Sequence, residues 1–485
     1  MNYINNAAII KRQLIVRLAK MMLAGNLNSR IDFIPLQQAP KDYEAMRCCV
    51  HHDRAVLHHR LMALLGFAIE NEQPEDEIRT LASYVAEAEQ KGDSRLDEKI
   101  LTVIDEACSS CVRANYRVTN ACRGCVARQC LMNCPKKAIK IENGHAVINE
   151  MLCISCGICA KACPYHSIIY QPIPCEEACP VNAISQNERG IERIDENKCI
   201  YCGKCVQACP FGAIMERSEI FDVIRSMLDK NEKTIALIAP SIIGQFNTDM
   251  GQVVTALKKL GFDHVVEVAY GADITAEKEV GEFVERIGHG SICMTSSCCP
   301  AYVQAVDKHM PEIKNLVSST LSPMQYAGEW AGQQWPGARR IFIGPCVAKR
   351  AEARACNFVE NVLTFEELGS IFIAANIDVA ECEDVASDRI ASSTGRSFAI
   401  SGGVCSAVVN GTAKNGIKAE EKIFNGLDQK AFASLRAIEK IVKNVTFIEV
   451  MTCEGGCMHG PGVISNPVVA RRFLEKILKD QANDS

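Results

Sequence analysis

The stretch EVMTCEGGCMHGPG, Glu449 to Gly462, sets Cys453 and Cys457 either side of three residues, two of them glycine. Thiolates are soft ligands for zinc, copper and iron–sulfur clusters, and this chain of 485 residues holds 27 cysteines. In a small exported protein such a count means disulfides; in a long chain without an export signal it points to metal. Sixteen of them fall between Cys108 and Cys209. There the run C-x2-C-x2-C-x3-C-P occurs twice unaltered, at Cys153, Cys156, Cys159, Cys163 and at Cys199, Cys202, Cys205, Cys209. A near copy, C-x2-C-x4-C-x3-C-P, runs through Cys122, Cys125, Cys130 and Cys134. What remains is the pair Cys108 and Cys111, and Cys175 with Cys179, a truncated end of the same motif.

A 4Fe-4S cube takes one thiolate per iron. In the bacterial ferredoxin pattern three closely spaced cysteines wrap one cube and the fourth, before proline, ligates the other. Sixteen cysteines then make four cubes with none left over. The expected sets are Cys122, Cys125, Cys130, Cys163 and Cys134, Cys153, Cys156, Cys159 in one two-cube module. A second module takes Cys179, Cys199, Cys202, Cys205 and the composite set Cys108, Cys111, Cys175, Cys209. CPKKAI, CPYHSI, CPVNAI and CPFGAI, spaced by 29, 16 and 30 residues, pair the motifs in the same way. Zinc ribbons are the alternative, but C-x2-C-x2-C followed by proline is poor zinc spacing. Such cubes conduct electrons one at a time and leave their destination open.

Three kinds of element must hold this chemistry. Residues 1–100 read as helical, with ALLGFAIENEQPEDEIRTLASYVAEAEQ amphipathic. Within them Cys48, Cys49, His51, His52, His58 and His59 read as an amphipathic helix with polar histidines rather than a zinc site, for they lack a C-x2-C partner. Residues 101–215 form the α+β ferredoxin-like modules. From 216 to 485 strands alternate with helices, an α/β pattern of mostly parallel sheets in two lobes. The expected strands are TIALIAP, HVVEVAY, SICMTSS, RIFIGP and VTFIEVM; TDMGQVVTALKKLG, DITAEKEVGEFVERIG and the closing VARRFLEKILKDQ are expected helices. Lys11, Arg12, Arg17 and Lys20 interrupt the N-terminus, so it is no signal peptide, and no run is long and apolar enough to span a membrane. A cytoplasmic location follows by default. Hydrophobic content of 48% and 23% charged residues are those of a globular protein, and no basic block suggests nucleic acid. The net charge of −5 hints weakly at basic carrier proteins as partners.

MTSSCCPAYV (Cys298, Cys299), IGPCVAKRAE (Cys346) and the opening stretch each follow an expected strand, where α/β proteins place ligands. Four of these five thiolates would hold a fifth cube. Together the three stretches resemble the signature motifs of FeFe-hydrogenases; with the ferredoxin-like front end the likeness covers about residues 101–485 and is nearest the group B monomeric branch. The resemblance implies an H-cluster, a 4Fe-4S cube joined through a cysteine sulfur to a diiron unit bearing CO, cyanide and an azadithiolate bridge. It assigns the cube to Cys299, Cys346, Cys453 and Cys457, with Cys457 shared between the two parts, and gives Gly455 and Gly456 the task of leaving room. Lys349 would donate to one cyanide, and Ala239, Pro240 and Ser241 would meet the other. Met451 would pack on the cube, and Glu352 joins these cofactor contacts. Cys298, Glu279, Ser318 and Glu282 would relay protons, with Arg286 near the exit. Without the resemblance, Lys349 reads as a surface lysine and Ser241 as a helix N-cap. Glu282 and Arg286 then read as an i,i+4 pair worth ~0.2–0.5 kcal/mol.

Some positions depart from that pattern. Gly344 stands where many relatives carry methionine, Met324 where a glutamine is frequent, Tyr302 where tryptophan is, and Pro461 breaks a glycine triplet. Rate, catalytic bias and oxygen tolerance rest on these positions more than the identity of the reaction does. Cys293, Cys356, Cys382 and Cys405 read as packing residues. The reading is thus a hydrogenase fed by ferredoxin or flavodoxin and matured by dedicated proteins, with no nucleotide-binding glycine motif. A hydrogenase-like iron–sulfur assembly or carrier protein, and a hydrogen or redox sensor, are the rivals.

Overall fold

The computed structural model describes residues 5–71, 79–92, 99–108, 111 and 115–483; part of the expected helical stretch before Arg79 lies outside them. TIALI and RRIFIG become adjacent parallel strands, Thr234–Ile238 and Arg339–Gly344, flanked by His264–Glu267 on one side and Asn361–Thr364 on the other. Thr234–Ile238 is buried throughout, as expected of a parallel strand covered on both faces. A second parallel sheet has Thr446–Met451 at its centre, between Cys293–Thr295 and Glu420–Asn425. All five expected strands exist and the part is α/β. In HVVEVAY, however, the strand stops at Glu267, and Val268–Tyr270 open a helix that runs to Gly288. That helix crosses Pro323–Gln334 so closely that a Cβ on Gly271 would sit 2.1 Å from the Pro323 carbonyl oxygen. Packing extends it into a segment whose β-branched residues favoured strand.

The cysteine-rich segment folds as two small units of antiparallel ribbons and single-turn helices. One unit pairs Tyr116–Val118 with Ile168–Tyr170 and Ile139–Glu142 with His145–Ile148, around the helices Gln129–Met132 and Ile158–Ala162. The other pairs Leu101–Val103 with Ile214–Glu216 and Ile184–Gln186 with Glu192–Ile194, around Pro174–Ala178 and Lys204–Ala208. The chain therefore begins the second unit, leaves to build the first, and returns to finish. At the crossing point Gln171 N donates to Asn115 O at 2.6 Å.

The N-terminal helices act as a buttress. Asn6–Leu23 lies on Phe365–Ala374, and its Leu14 and Leu18 join the same core as Phe365 and Leu368. Lys11 reaches Glu216 at 2.5 Å and Glu366 at 2.8 Å, and Arg12 reaches Glu366 at 2.9 Å. Beneath them Arg350 and Glu367 form a fully buried pair at 2.8 Å. Cys48 Sγ lies 3.2 Å from His52 Nδ1, and His52 and His59, on the helix Val50–Leu64, contact Glu106. No helix among the described residues is long and apolar enough to cross a membrane.

Candidate active site

Every motif of the α/β part sits just beyond the C-terminal end of a parallel strand: Ala239–Ser241 after Thr234–Ile238, Cys346 after Arg339–Gly344, Cys298 and Cys299 after Cys293–Thr295, Cys453 after Thr446–Met451. Strand order brings the first two together, with Ala239 N donating to Ile343 O at 2.8 Å. Burial pushes the Cys346 thiol up to about 12, and the charges of Cys299 and Cys457 add to the push. Burial and Cys299 likewise lift Cys457 to about 12. Cys453 is raised by burial and then by Cys346, Cys299 and Cys457. The four thus converge. Protein surrounds them, yet all four keep some accessible surface. A thiolate is costly in such a site unless a cation offsets its charge, and four soft donors brought together suit an iron–sulfur cube.

The loop of the third motif is shaped by its glycines. Gly455 and Gly456 have φ of +89° and +84°, and a Cβ on Gly456 would lie 2.8 Å from the Ala399 carbonyl oxygen. The room that Gly456 leaves is filled by the backbone of residues 399–401, which refines the expectation that it was kept for the cofactor.

Lys349 is buried beside the thiols. Its Nζ donates to Ser322 Oγ at 3.1 Å and pairs with Glu352 at 2.5 Å, using two of its three donors. Burial pulls its pKa down, but Glu352, then Cys346 and Cys298, outweigh this, and the ammonium is held above its ordinary value. Ser241 is fully buried, and among the described residues its Oγ has no hydrogen-bond partner. It is no helix cap, and Lys349 is no surface lysine. Met451 is buried with Cys298 and Cys299 packed on the same cluster, and Tyr302 donates to Thr295 Oγ1 at 2.9 Å.

Cys298 is raised by burial and next by the charge of Glu279. Glu279, on the helix Val268–Gly288, is wholly buried; its Oε1 accepts from Ser297 N at 3.2 Å, while Oε2 has no partner. Burial pushes this carboxyl up to about 8. One helical turn on, Glu282 accepts from Ser318 Oγ at 2.7 Å, Thr320 Oγ1 at 3.0 Å and Arg286 at 2.6 Å. Burial raises Glu282 too, but the hydrogen bonds from Ser319 and Ser318 prevail and hold it below the usual carboxylate range. Arg286 also donates to Asn315 O and Val317 O at the surface. Hydrogen bonds join Ser318, Glu282 and Arg286, while Cys298 feels the charge of Glu279, and Ser318 opposes the rise at Glu279. Ser297, Ser319, Thr320 and Ser322 were not singled out by sequence; the hydroxyl-rich run SSTLS, Ser318–Ser322, is the signal that marks most of them.

Several of the front-end cysteines lie within electrostatic reach of one another. Burial lifts Cys130, with Cys125 and Cys163 adding to it, and Cys163 feels Cys122. Cys134, Cys153, Cys156 and Cys159 line a common small cavity. Burial raises Cys199 to about 12, and Cys202 and Cys179 contribute. Burial likewise dominates at Cys108, raised to about 11, where Glu192, Cys209 and Cys111 add to it; Cys175 is raised by burial, Glu192, Cys209, Cys111 and Cys108. The composite set, split in sequence by the inserted unit, is contiguous in space. Cys202 faces Cys299, and Cys205 faces Cys175. Lys204 Nζ donates to Leu427 O at 2.8 Å across this junction. Among the described residues, no three His, Cys, Asp or Glu converge on a point for a single ion. Cys293, Cys382 and Cys405 are buried in packing positions and Cys356 is half-buried.

Two parallel sheets with thiols at their strand ends, joined to cysteine-lined ribbons, form the framework of an iron–sulfur protein. Residues 232–461 match the C-terminal domain of the iron-only hydrogenase large subunit, and residues 146–169 and 192–215 match the 4Fe-4S binding domain. Iron hydrogenase 1 of Clostridium pasteurianum is 30% identical over 392 residues, 68% of this chain and 66% of that protein. The NADP-reducing hydrogenase subunit HndD of Solidesulfovibrio fructosivorans is 28% identical over 311 residues, 52% of this chain and 53% of that protein. The cytosolic Fe-S cluster assembly factor narfl of Danio rerio is 23% identical over 262 residues, 42% of this chain and 64% of that protein. The chain spans 53 to 66% of these relatives' lengths. Residues 232–461 thus carry the C-terminal domain of an iron-only hydrogenase large subunit.

Proposed function

We propose that this chain is an FeFe-hydrogenase that interconverts two protons and two electrons with dihydrogen at an H-cluster held by Cys299, Cys346, Cys453 and Cys457. The observation that carries the reading is the buried Lys349 ammonium, in the field of Cys346, Cys298 and Cys457, in a site that also buries the unpartnered Ser241 hydroxyl. A bare cube needs neither an ammonium nor an orphan hydroxyl; anionic ligands on a second metal unit would use both. When bound, the H-cluster supplies the metal site at which the H–H bond is made or broken. The chain does the rest. Lys349 and Ser241 orient the group, and the surrounding burial keeps water out. Glu279, neutral at pH 7 with its pKa near 8, holds a proton beside Cys298. Glu282, kept ionised by Arg286 and three hydroxyls, takes it on toward solvent.

Four further cubes, in the sets given above, would bring electrons in, ending at Cys202 next to Cys299. The domains are taken as 1–100, 101–215 and 216–485, the last as two lobes with one sheet each. A reduced ferredoxin or flavodoxin as donor, maturation proteins to install the diiron unit, and a cytoplasmic location complete the reading. The similarity to an assembly factor favours the second reading, a chain that carries cubes without making dihydrogen. Infrared spectra after maturation, with a dihydrogen assay driven by a reduced dye, separate the two. Metal-bound CO and cyanide bands with dihydrogen output are expected. An intact cube with neither would leave only the assembly reading.

A further inference from the structure

Residues 115–172, the inserted unit, carry seven Lys and Arg against two Asp and Glu, a net +5 in a chain whose total is −5. The basic groups are exposed: Arg123, Lys136, Lys137 and Lys161 all face solvent, and none of them enters an ion pair among the described residues. Between them lies exposed apolar surface. Met151 is 73% exposed, Ile154 56%, Leu152 52% and Ile158 41%. These side chains flank Cys153 and Cys156, and Lys136, Ile154 and Ile158 line the same cavity as the four thiols of that set. Of the sixteen cysteines from Cys108 to Cys209, Cys156 alone is exposed.

We propose that this face, centred on the Met151–Ile158 loop, docks a small acidic iron–sulfur carrier protein and is where electrons enter the chain. The inference rests on the cube assignment and hydrogenase reading above. Electron tunnelling weakens steeply with distance, so a donor gains most over the cube whose ligand is nearest solvent. An apolar centre with a charged rim is the usual form of a protein contact, and exposed apolar patches of this kind mark such contacts. Opposite charge steers the encounter and fixes its orientation. The whole-chain charge of −5 hints at a basic partner, but the local charge where the cube approaches the surface has the other sign.

The test uses the matured full-length chain, an acidic two-cube bacterial ferredoxin as carrier and reduced methyl viologen as the small donor. Zero-length carbodiimide cross-linking joins carrier carboxylates to lysines in contact, and mass spectrometry locates the joins. Links to Lys136, Lys137 or Lys161 are expected. Lys137→Glu with Lys161→Glu, and separately Met151→Glu, should raise the KM for the carrier ~10-fold or more, the charge pair also flattening its dependence on salt. Iron content of each variant shows that its cubes are present. Links confined to other lysines, or a KM that neither variant moves, overturn the docking surface. Self-association through this face, seen by sedimentation and abolished by Met151→Glu, overturns it in favour of a second copy of the chain. If viologen drives no dihydrogen in the parent chain, the hydrogenase reading fails, while the cross-links still report on docking.

Discussion

Replacing Glu279 by glutamine is the sharpest test of the proton route. The carboxyl has no exposed surface, and its Oε1 accepts from Ser297. Burial lifts its pKa from 4.5 to about 8, with the Ser297 N–H opposing and the Glu282 charge reinforcing. At about 1.36 kcal/mol per unit, ionising it inside the protein costs about 5 kcal/mol more than in an open chain. The sign follows from proton binding: the folded state holds this proton more tightly than the unfolded one, so stability falls as pH rises from about 4.5 to about 8. Glu279→Gln, which cannot ionise, loses that slope and should exceed the parent in stability at high pH, with no difference below the unfolded pKa. Difference infrared spectroscopy in light and heavy water should show a protonated carboxylic acid in the parent at pH 6, titrating with a midpoint near 8 and missing from the variant. Dihydrogen turnover should fall by ~10²-fold or more, the usual share of one general acid–base group. A carboxylate band at pH 6, or near-parental turnover in Glu279→Gln, would refute the reasoning.

Other consequences are as open to measurement. Cys298→Ala should abolish turnover while the CO and cyanide bands persist; bands lost with the thiol would make Cys298 a cofactor contact instead of a relay group. Iron and acid-labile sulfide analysis should return five cubes before the diiron unit is installed, and Cys175→Ser should lose one of them; a total near two in residues 101–215 would refute the four sets. Truncating Arg350 to alanine strands the buried Glu367 carboxylate, with which it pairs at 2.8 Å. That should destabilise the chain by ~3–5 kcal/mol, whereas paired removal with Glu367→Gln should recover much of it. The check is urea denaturation of the cluster-free protein.

What the sequence revealed follows from how local each signal is. Cysteine spacing is a local record of cluster geometry, so even the composite set could be found by elimination. Five apolar runs marked five strands for the same reason. Glu420–Asn425 escaped because EEKIFN lies at a sheet edge with four of its six residues exposed, which removes the apolar run that would mark it. Asn361–Thr364 is only four residues long and opens with a polar side chain buried against Glu219 and Arg339. The burial of Lys349, and with it the meaning of its charge, depends on Ser322 and Glu352 closing over it. The role of the N-terminal helices was illegible, because Lys11 finds Glu216 and Glu366 only after three distant segments have met.

The place where the chain leaves the second ribbon unit and the place where it comes back are one hydrogen bond apart, Gln171 to Asn115. An excursion of more than fifty residues thus returns to its starting point, and the host unit closes through Leu101–Val103 and Ile214–Glu216 without help from it. On the proposed cluster assignment the wire is extensible: a pair of relay stations could be spliced in or cut out at a single seam, lengthening or shortening the reach to the outside while the relay nearest the strand-end thiols stays where it is.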